Sequence, residues 1–235
     1  MRHVPFENLD VIMRRPLNLL PDSLFDKIVM QKRGGYCFEL NTLYAALLRA
    51  LGFNPVPMLG RVWLRDPEET PPRTHLMHRI SIGDETWVTD VGFGGRASRI
   101  PLKMGTETAL DDGDGRIRII PEDSFGFMVQ REQDGMWSNQ YSFEPTAAPL
   151  ADILCGNHWT ESHPDSHFRQ GIGVGLFTTE GRTSFYGGML THRGRGTQTV
   201  QVLGLDATLK CLRDEFGIEL NADDKETANI AAAVI

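Results

Sequence analysis

The chain has 235 residues, of which 40% are apolar and 23% charged, with a formal net charge of −7. That length fits one large domain or two to three modules sharing a core, and it can bury most of its apolar surface without covalent staples. The acidic balance, with no run of Lys and Arg, argues against nucleic acid or an anionic membrane surface as the main partner.

The N-terminal "MRHVPFENLD" has no apolar h-region and does not read as a signal peptide. No apolar segment approaches the length of a membrane span. The three cysteines, at 37, 155 and 211, lack the spacing of a zinc ribbon and the density of a disulfide scaffold, so a reducing cytoplasm is the expected home.

Residues 1–52 read as a helical module with breaks at Pro16 and Pro21. "DSLFDKIVMQKR" places Leu24, Ile28 and Val29 at helical spacing, with Asp22 or Ser23 as the expected cap. The glycine pair of "RGGYCFELN" stops that helix, and a second begins at Cys37. Leu40, Leu43, Tyr44, Leu47 and Leu48 give it an apolar stripe, and Gly52 is a natural residue to end it.

From residue 53 to 150 the apolar period becomes two. "VPMLGRVWL", "HLMHRISI", "TWVTDVG", "RIRII", "FGFMVQRE" and "MWSNQYSF" read as short strands of an antiparallel sheet or barrel. Residues 151–235 form the third expected unit. The stretch 144–165 reads as a polar bridge with three prolines and little periodicity. "GIGVGLFTT", "GRTSFYGGML" and "TQTVQVLG" read as a small sheet, and "DATLKCLRDEFG" as a helix capped by Asp206. The tail "NADDKETANIAAAVI" is expected to be loosely held.

Cys37 stands where a glycine turn meets a helix. A helix N-terminus favours a thiolate through its unpaired N–H groups and its dipole. Gly34 and Gly35 permit the tight turn and leave room for a substrate. A small buried hydrophobe is the plainer reading of such a cysteine, so a base is needed to change it. Of the seven histidines, His75 and His78 sit on one predicted strand. Strand alternation sends them to opposite faces, which also weakens a metal reading of the pair.

The turn "IGDE" centres a two-residue hairpin on Gly83 and Asp84. If Ile82 pairs with Glu85, Met77 faces Asp90 and His75 faces Gly92. His75 and Asp90 then become diagonal neighbours on one face, and Gly92 leaves an open slot opposite the imidazole. Cys37, His75 and Asp90 would form a triad for acyl transfer, with an oxyanion site of backbone N–H groups near the helix start.

"VPFENLDV", "RGGYCFELN", "TH" at 74–75, "DVGFGG", "NHWTESHPDSHF" and "EFGIEL" together resemble the arylamine N-acetyltransferase family over nearly the whole chain. The resemblance implies an α+β fold of three modules: an N-terminal helical module, a central antiparallel β-barrel and a C-terminal α/β lid, around a thiol-protease-like core. It implies cytoplasmic members; the residues themselves give no sign of a metal site. Acetyl-CoA loads Cys37, and an arylamine, arylhydrazine or N-hydroxyarylamine collects the acetyl group in a ping-pong cycle. Phe6 and Phe93 match aromatic residues of the acceptor pocket. Gly92, Phe93, Gly94 and Phe168 match positions near the acyl thioester and the CoA arm. Family members usually carry more helical sequence before "PFENL". Here Met1 sits almost on that stretch: either the start is assigned too late or part of the first helices is lacking, and the second case would expose apolar surface on the helical module.

His158, His163 and His167 cluster in sequence, but Pro164 breaks their phase and no Cys or Glu completes a zinc set. Cys155 and Cys211 are not expected to act in catalysis. "GIGVGLF" reads as strand, not as a phosphate loop. Three other readings stay open: an amide synthase of the same family using an acyl-carrier partner, a thiol hydrolase or transglutaminase-like enzyme with the same triad, and a non-catalytic binder of aromatic ligands. The oligomeric state is not legible.

Overall fold

The computed structural model describes residues 3–64, 67–94, 98–133, 135–179, 181–194 and 196–234. The fold is α+β. Eight strands form an antiparallel sheet: β2 Val56–Val62, β3 Arg73–Ile82, β4 Glu85–Thr89, β5 Leu102–Lys103, β6 Leu110–Asp111, β7 Arg116–Glu122, β8 Gly126–Gln133 and β9 Met136–Phe143. Their order is β5-β4-β3-β2-β9-β8-β7-β6. The sheet curls into a half-barrel, bringing β5 against β7. Alternation drives this: Ile117 and Ile119 of β7 turn inward with Met58, Met77, Val88, Val129 and Phe143.

A second antiparallel sheet contains β10 Gly173–Phe177, β11 Arg182–Tyr186, β12 Met189–Arg193 and β13 Thr197–Gln201. Its first strand comes from the other end of the chain, because β1, Phe6–Glu7, pairs with β10. Helix α1, Leu9–Met13, follows β1 into the same layer. Leu9, Ile12 and Met13 pack with Ile172, Val174, Phe185, Leu212 and Ile230. The N-terminal residues thus close the core of the C-terminal layer.

Helix α2, Pro21–Phe25, runs on as a π-helical turn over Asp26–Met30. Pro21 stands at its first turn and Leu20 is the cap, so Pro21 opens this helix, and neither Asp22 nor Ser23 caps it. Leu24 and Ile28 pack on Leu40 of helix α3, Cys37–Ala50. Val29 is exposed, as are Phe25, Met30, Leu47, Leu51 and Phe53.

Three further expectations are corrected. The supposed polar bridge contains helix α4, Leu150–Ser162, with Pro149 as its cap and Pro164 just beyond its end. Helix α5, Leu205–Phe216, is capped by Gly204, and Asp206 lies within its first turn. The tail is held: α6, Asp224–Ala232, starts with a capping box between Asp223 and Glu226. Ile230 of α6 is fully buried, and Glu226 pairs with Arg15 at 2.6 Å. Among the described residues, no helix is long and apolar enough to cross a membrane.

Candidate active site

Cys37 is the first residue of α3 and is 3% exposed. The turn before it is tightly held. Glu7 N donates to Gly35 O at 3.0 Å, and Gly35 N to Pro5 O at 3.4 Å. A Cβ on Gly34 would stand 2.1 Å from Pro5 O, so only glycine fits there. Behind the turn lies a buried ion cluster. Arg33 contacts Glu7 at 2.7 Å and Asp10 at 2.9 Å, and Lys27 contacts Asp10 and Glu39, each at 2.6 Å. Glu39 also accepts from Tyr36 N at 3.1 Å, bracing the helix start. Burial, partly offset by Lys27, raises the Glu39 carboxyl to about 7.

The hairpin register is the expected one from Ile82↔Glu85 to His78↔Thr89. Pairing then stops, because β4 ends at Thr89. His75 Nε2 nevertheless lies 2.7 Å from Asp90 Oδ2. Asp90 Oδ1 accepts from Gly92 N at 2.8 Å and from Asn41 Nδ2 at 2.9 Å. Burial, with the Asp90 carboxylate nearby, holds the Tyr141 phenol well above its usual range. With Nε2 engaged by Asp90, the other ring nitrogen of His75 is not held by the carboxylate, and the nearby Cys37 thiol helps to favour the charged ring. The thiol also approaches Thr74 O, at 3.6 Å.

Electrostatics follow from this enclosure. Burial opposes charge on His75, but Asp90 and the thiol outweigh it and raise the imidazole to about 10. Burial likewise opposes ionisation of Asp90, yet His75, Asn41 and Gly92 N hold its carboxyl below the usual range. His78, on the other face of β3, is a different case: burial and then Arg49 push it down to about 4. Burial, with Glu215 and Asp214 nearby, raises the Cys211 thiol to about 11.

The open slot expected opposite His75 does not exist. A Cβ on Gly92 would meet Asn41 Nδ2 at 2.6 Å and Cys37 Cα at 2.8 Å. Gly92 is the point where the segment after β4 touches the backbone of α3. Phe93 packs on His75 and Tyr141, with ring centroids 4.9 and 4.8 Å away. Phe6 and Phe168 are 6.1 Å apart, and Phe168 meets Tyr36 edge-on at 5.6 Å. Gly94 lies against the Phe6 ring. Gly95, the last residue of "DVGFGG", lies outside the described residues. All eight residues singled out from sequence thus lie in one neighbourhood. A surface depression of about 400 Å³ bounded by Arg79, Thr86, Lys103 and Pro145 lies elsewhere. Among the described residues, no group of three or more His, Cys, Asp or Glu is placed to hold a metal ion.

Two asparagines were missed. Asn41 lies four residues after Cys37, so the two share a helix face, which was a usable signal. Asn8 Nδ2 donates to Phe168 O and Gly171 O, both at 2.8 Å, and its Oδ1 accepts from Gly173 N at 2.8 Å. Nothing local in the sequence points to a contact across that separation.

A family model described as N-acetyltransferase matches residues 1–225. The arylamine N-acetyltransferase / N-hydroxyarylamine O-acetyltransferase of Salmonella typhimurium is 35% identical over 222 residues, covering 93% of this chain and 78% of that protein. An arylamine N-acetyltransferase of Mycobacterium tuberculosis is 31% identical over 226 residues, covering 93% and 79%. Among solved structures, the Salmonella typhimurium arylamine N-acetyltransferase superposes with a TM-score of 0.91 at 33% identity, covering 98% of this chain and 86% of that one. Mycobacterium marinum arylamine N-acetyltransferase in complex with CoA superposes with a TM-score of 0.92 at 29% identity, covering 99% and 89%.

Proposed function

Since the chain belongs to the arylamine N-acetyltransferase family and is an acyltransferase, we propose that it carries an acetyl group from acetyl-CoA to an arylamine, arylhydrazine or N-hydroxyarylamine on Cys37. The observation that carries this reading is the 2.7 Å pairing of His75 Nε2 with Asp90 Oδ2, which leaves the second ring nitrogen for the thiol at the start of α3.

In the first half-reaction the thiol proton already rests on His75, whose imidazole is raised to about 10, and Sγ attacks the acetyl carbonyl carbon. The backbone N–H of Cys37, in the first turn of α3, stabilises the oxyanion. The bond from that carbon to the CoA sulfur breaks, and His75 returns its proton to the departing thiolate. In the second, the acceptor nitrogen, or the hydroxylamine oxygen, attacks the Cys37 thioester. His75 collects the acceptor's proton, and Cys37 Sγ leaves. Asp90 fixes the imidazole tautomer and balances its charge throughout.

Phe93, beside His75, and Phe6 with Phe168, beside Tyr36, are the aromatic surfaces proposed to receive the acceptor ring. Gly92 lets the segment after β4 close on the start of α3, and Gly94 lets the chain pass against the Phe6 ring. The acyl donor is proposed to approach past Phe168. The work is divided between the helical residues 1–52, the half-barrel within 53–150 and the C-terminal layer within 151–235, in a cytoplasmic setting. Intact-mass analysis after incubation with acetyl-CoA tests the reading: one acetyl mass should appear on the protein without amine and none on Cys37→Ala. An unlabelled native protein would sink it.

A further inference from the structure

Asn41 follows Cys37 by four residues on α3, so it occupies the same helix face one turn on. Its side chain is fully buried. Nδ2 donates to Leu76 O at 2.7 Å and to Asp90 Oδ1 at 2.9 Å. Oδ1 accepts from Val91 N at 3.1 Å. Leu76 adjoins His75, and Val91 adjoins Asp90. A single carboxamide on the helix that carries the thiol therefore holds the backbone beside the imidazole and beside its carboxylate. Docking a helix on a hairpin needs only the two backbone contacts. The third bond goes to the Asp90 oxygen that also accepts from Gly92 N, and the remaining oxygen is the one that faces His75.

We propose that Asn41 is a positioning residue for acyl transfer: it locks the rotation of the Asp90 carboxylate so that Oδ2 serves His75, and acts on Cys37 through that pair. This rests on the acetyl-transfer reading. Gln or Ser cannot reproduce the arrangement, since one chain is too long and the other too short to span both acceptors. Asp has the right shape but no donor, and would set two carboxylates against each other.

The titratable groups around Asp90 are His75 on β3 and the Tyr141 phenol on β9, with Cys37 of α3 acting on His75. His78 lies behind on β3, with Arg49 acting on it, and Arg131 of β8 acts on Tyr141. The donors that Oδ1 has are Asn41 Nδ2 and the backbone Gly92 N. In Asn41→Asp the paired carboxylates take up a proton at higher pH than Asp90 alone, and the imidazolium loses its counter-charge there. The thiolate–imidazolium pair then collapses earlier on acidification.

The test is the pH dependence of Cys37 alkylation by iodoacetamide, which needs no acyl donor, with acetyl loading from acetyl-CoA measured alongside. For Asn41→Asp the acid limb of alkylation should move up by about one pH unit or more. Acetyl loading should slow roughly 10- to 100-fold. Asn41→Ser is the second variant, read on the same limb if Asn41→Asp does not fold. A limb that stays in place in the folded variant overturns the proposal, since a purely structural asparagine would lower the melting temperature without moving it. If the unmodified protein takes no acetyl label, the acyl-carrier reading fails, and the alkylation limb still decides the role of Asn41.

Discussion

His75 and Asp90 meet at 2.7 Å although the ladder between their strands has already ended at His78↔Thr89. The ladder sets the two residues near each other, and side-chain bonds complete the approach. Asp90→Asn should therefore keep the hairpin and change the chemistry. The amide would favour the wrong imidazole tautomer, and acetyl loading should fall on the order of a thousandfold or more. Stopped-flow measurement of CoA release checks this, and a loss under tenfold would contradict it.

Cys37→Ala removes one sulfur atom from the start of α3. The cavity is small, so stability should change by about 1 kcal/mol or less, while labelling and transfer disappear. Melting curves beside intact-mass spectra separate the two effects. A Cys37→Ala protein that still accepts acetyl would move the nucleophile elsewhere. The exposed Cys155 would be the first alternative to test, since Cys211 is buried.

Gly92→Ala would place a methyl group 2.8 Å from Cys37 Cα and 2.6 Å from Asn41 Nδ2. Both neighbours are fixed, so α3 must back away from the segment carrying Asp90. The expected cost is about 1–3 kcal/mol of stability, with a larger fractional loss of acetyl loading. Urea titration and loading rates on the folded variant would show whether the two fall together.

The His75 imidazole is raised to about 10 against an ordinary value of 6.5, with burial opposing and Asp90 outweighing it. The folded protein therefore holds this proton more tightly than the unfolded chain. That stability is fully present below about pH 6.5 and is lost as pH rises through about 10. Melting temperature should decline over that alkaline window, and His75→Gln should flatten the decline. Parallel slopes for both proteins would contradict the assignment.

Arg33→Met would leave Glu7 and Asp10 without their shared guanidinium inside a buried cluster. Losing one partner from such a cluster costs about 3–5 kcal/mol. The damage should reach Cys37, since Glu7 belongs to β1, which bonds the Gly34–Gly35 turn. Denaturant midpoints and alkylation rates of Cys37 test both statements.

Elements whose character is local were readable from the chain. Helix α3 shows its apolar stripe, and the β3–β4 hairpin shows its turn, so the neighbourhood of Cys37, His75 and Asp90 was reachable. Helix α4 was not, because its outer face carries Leu150 and Leu154 and its ends are marked by prolines that also mark loops. Helix α6 did carry a signal, Asp223 followed three residues later by Glu226, which composition alone obscured. The bonds of Asn8 to Phe168, Gly171 and Gly173 exist only after the two ends of the chain meet, so no window of sequence holds them.

Strand β1 has a consequence for biosynthesis. Phe6 is flanked by Gly35 on one side and by Gly175 on the other. A ribosome that has not yet delivered β10 leaves that two-residue strand half paired, and the turn before the thiol without its outer support. The corner that carries Cys37 thus gains its full support only once β10 has been made.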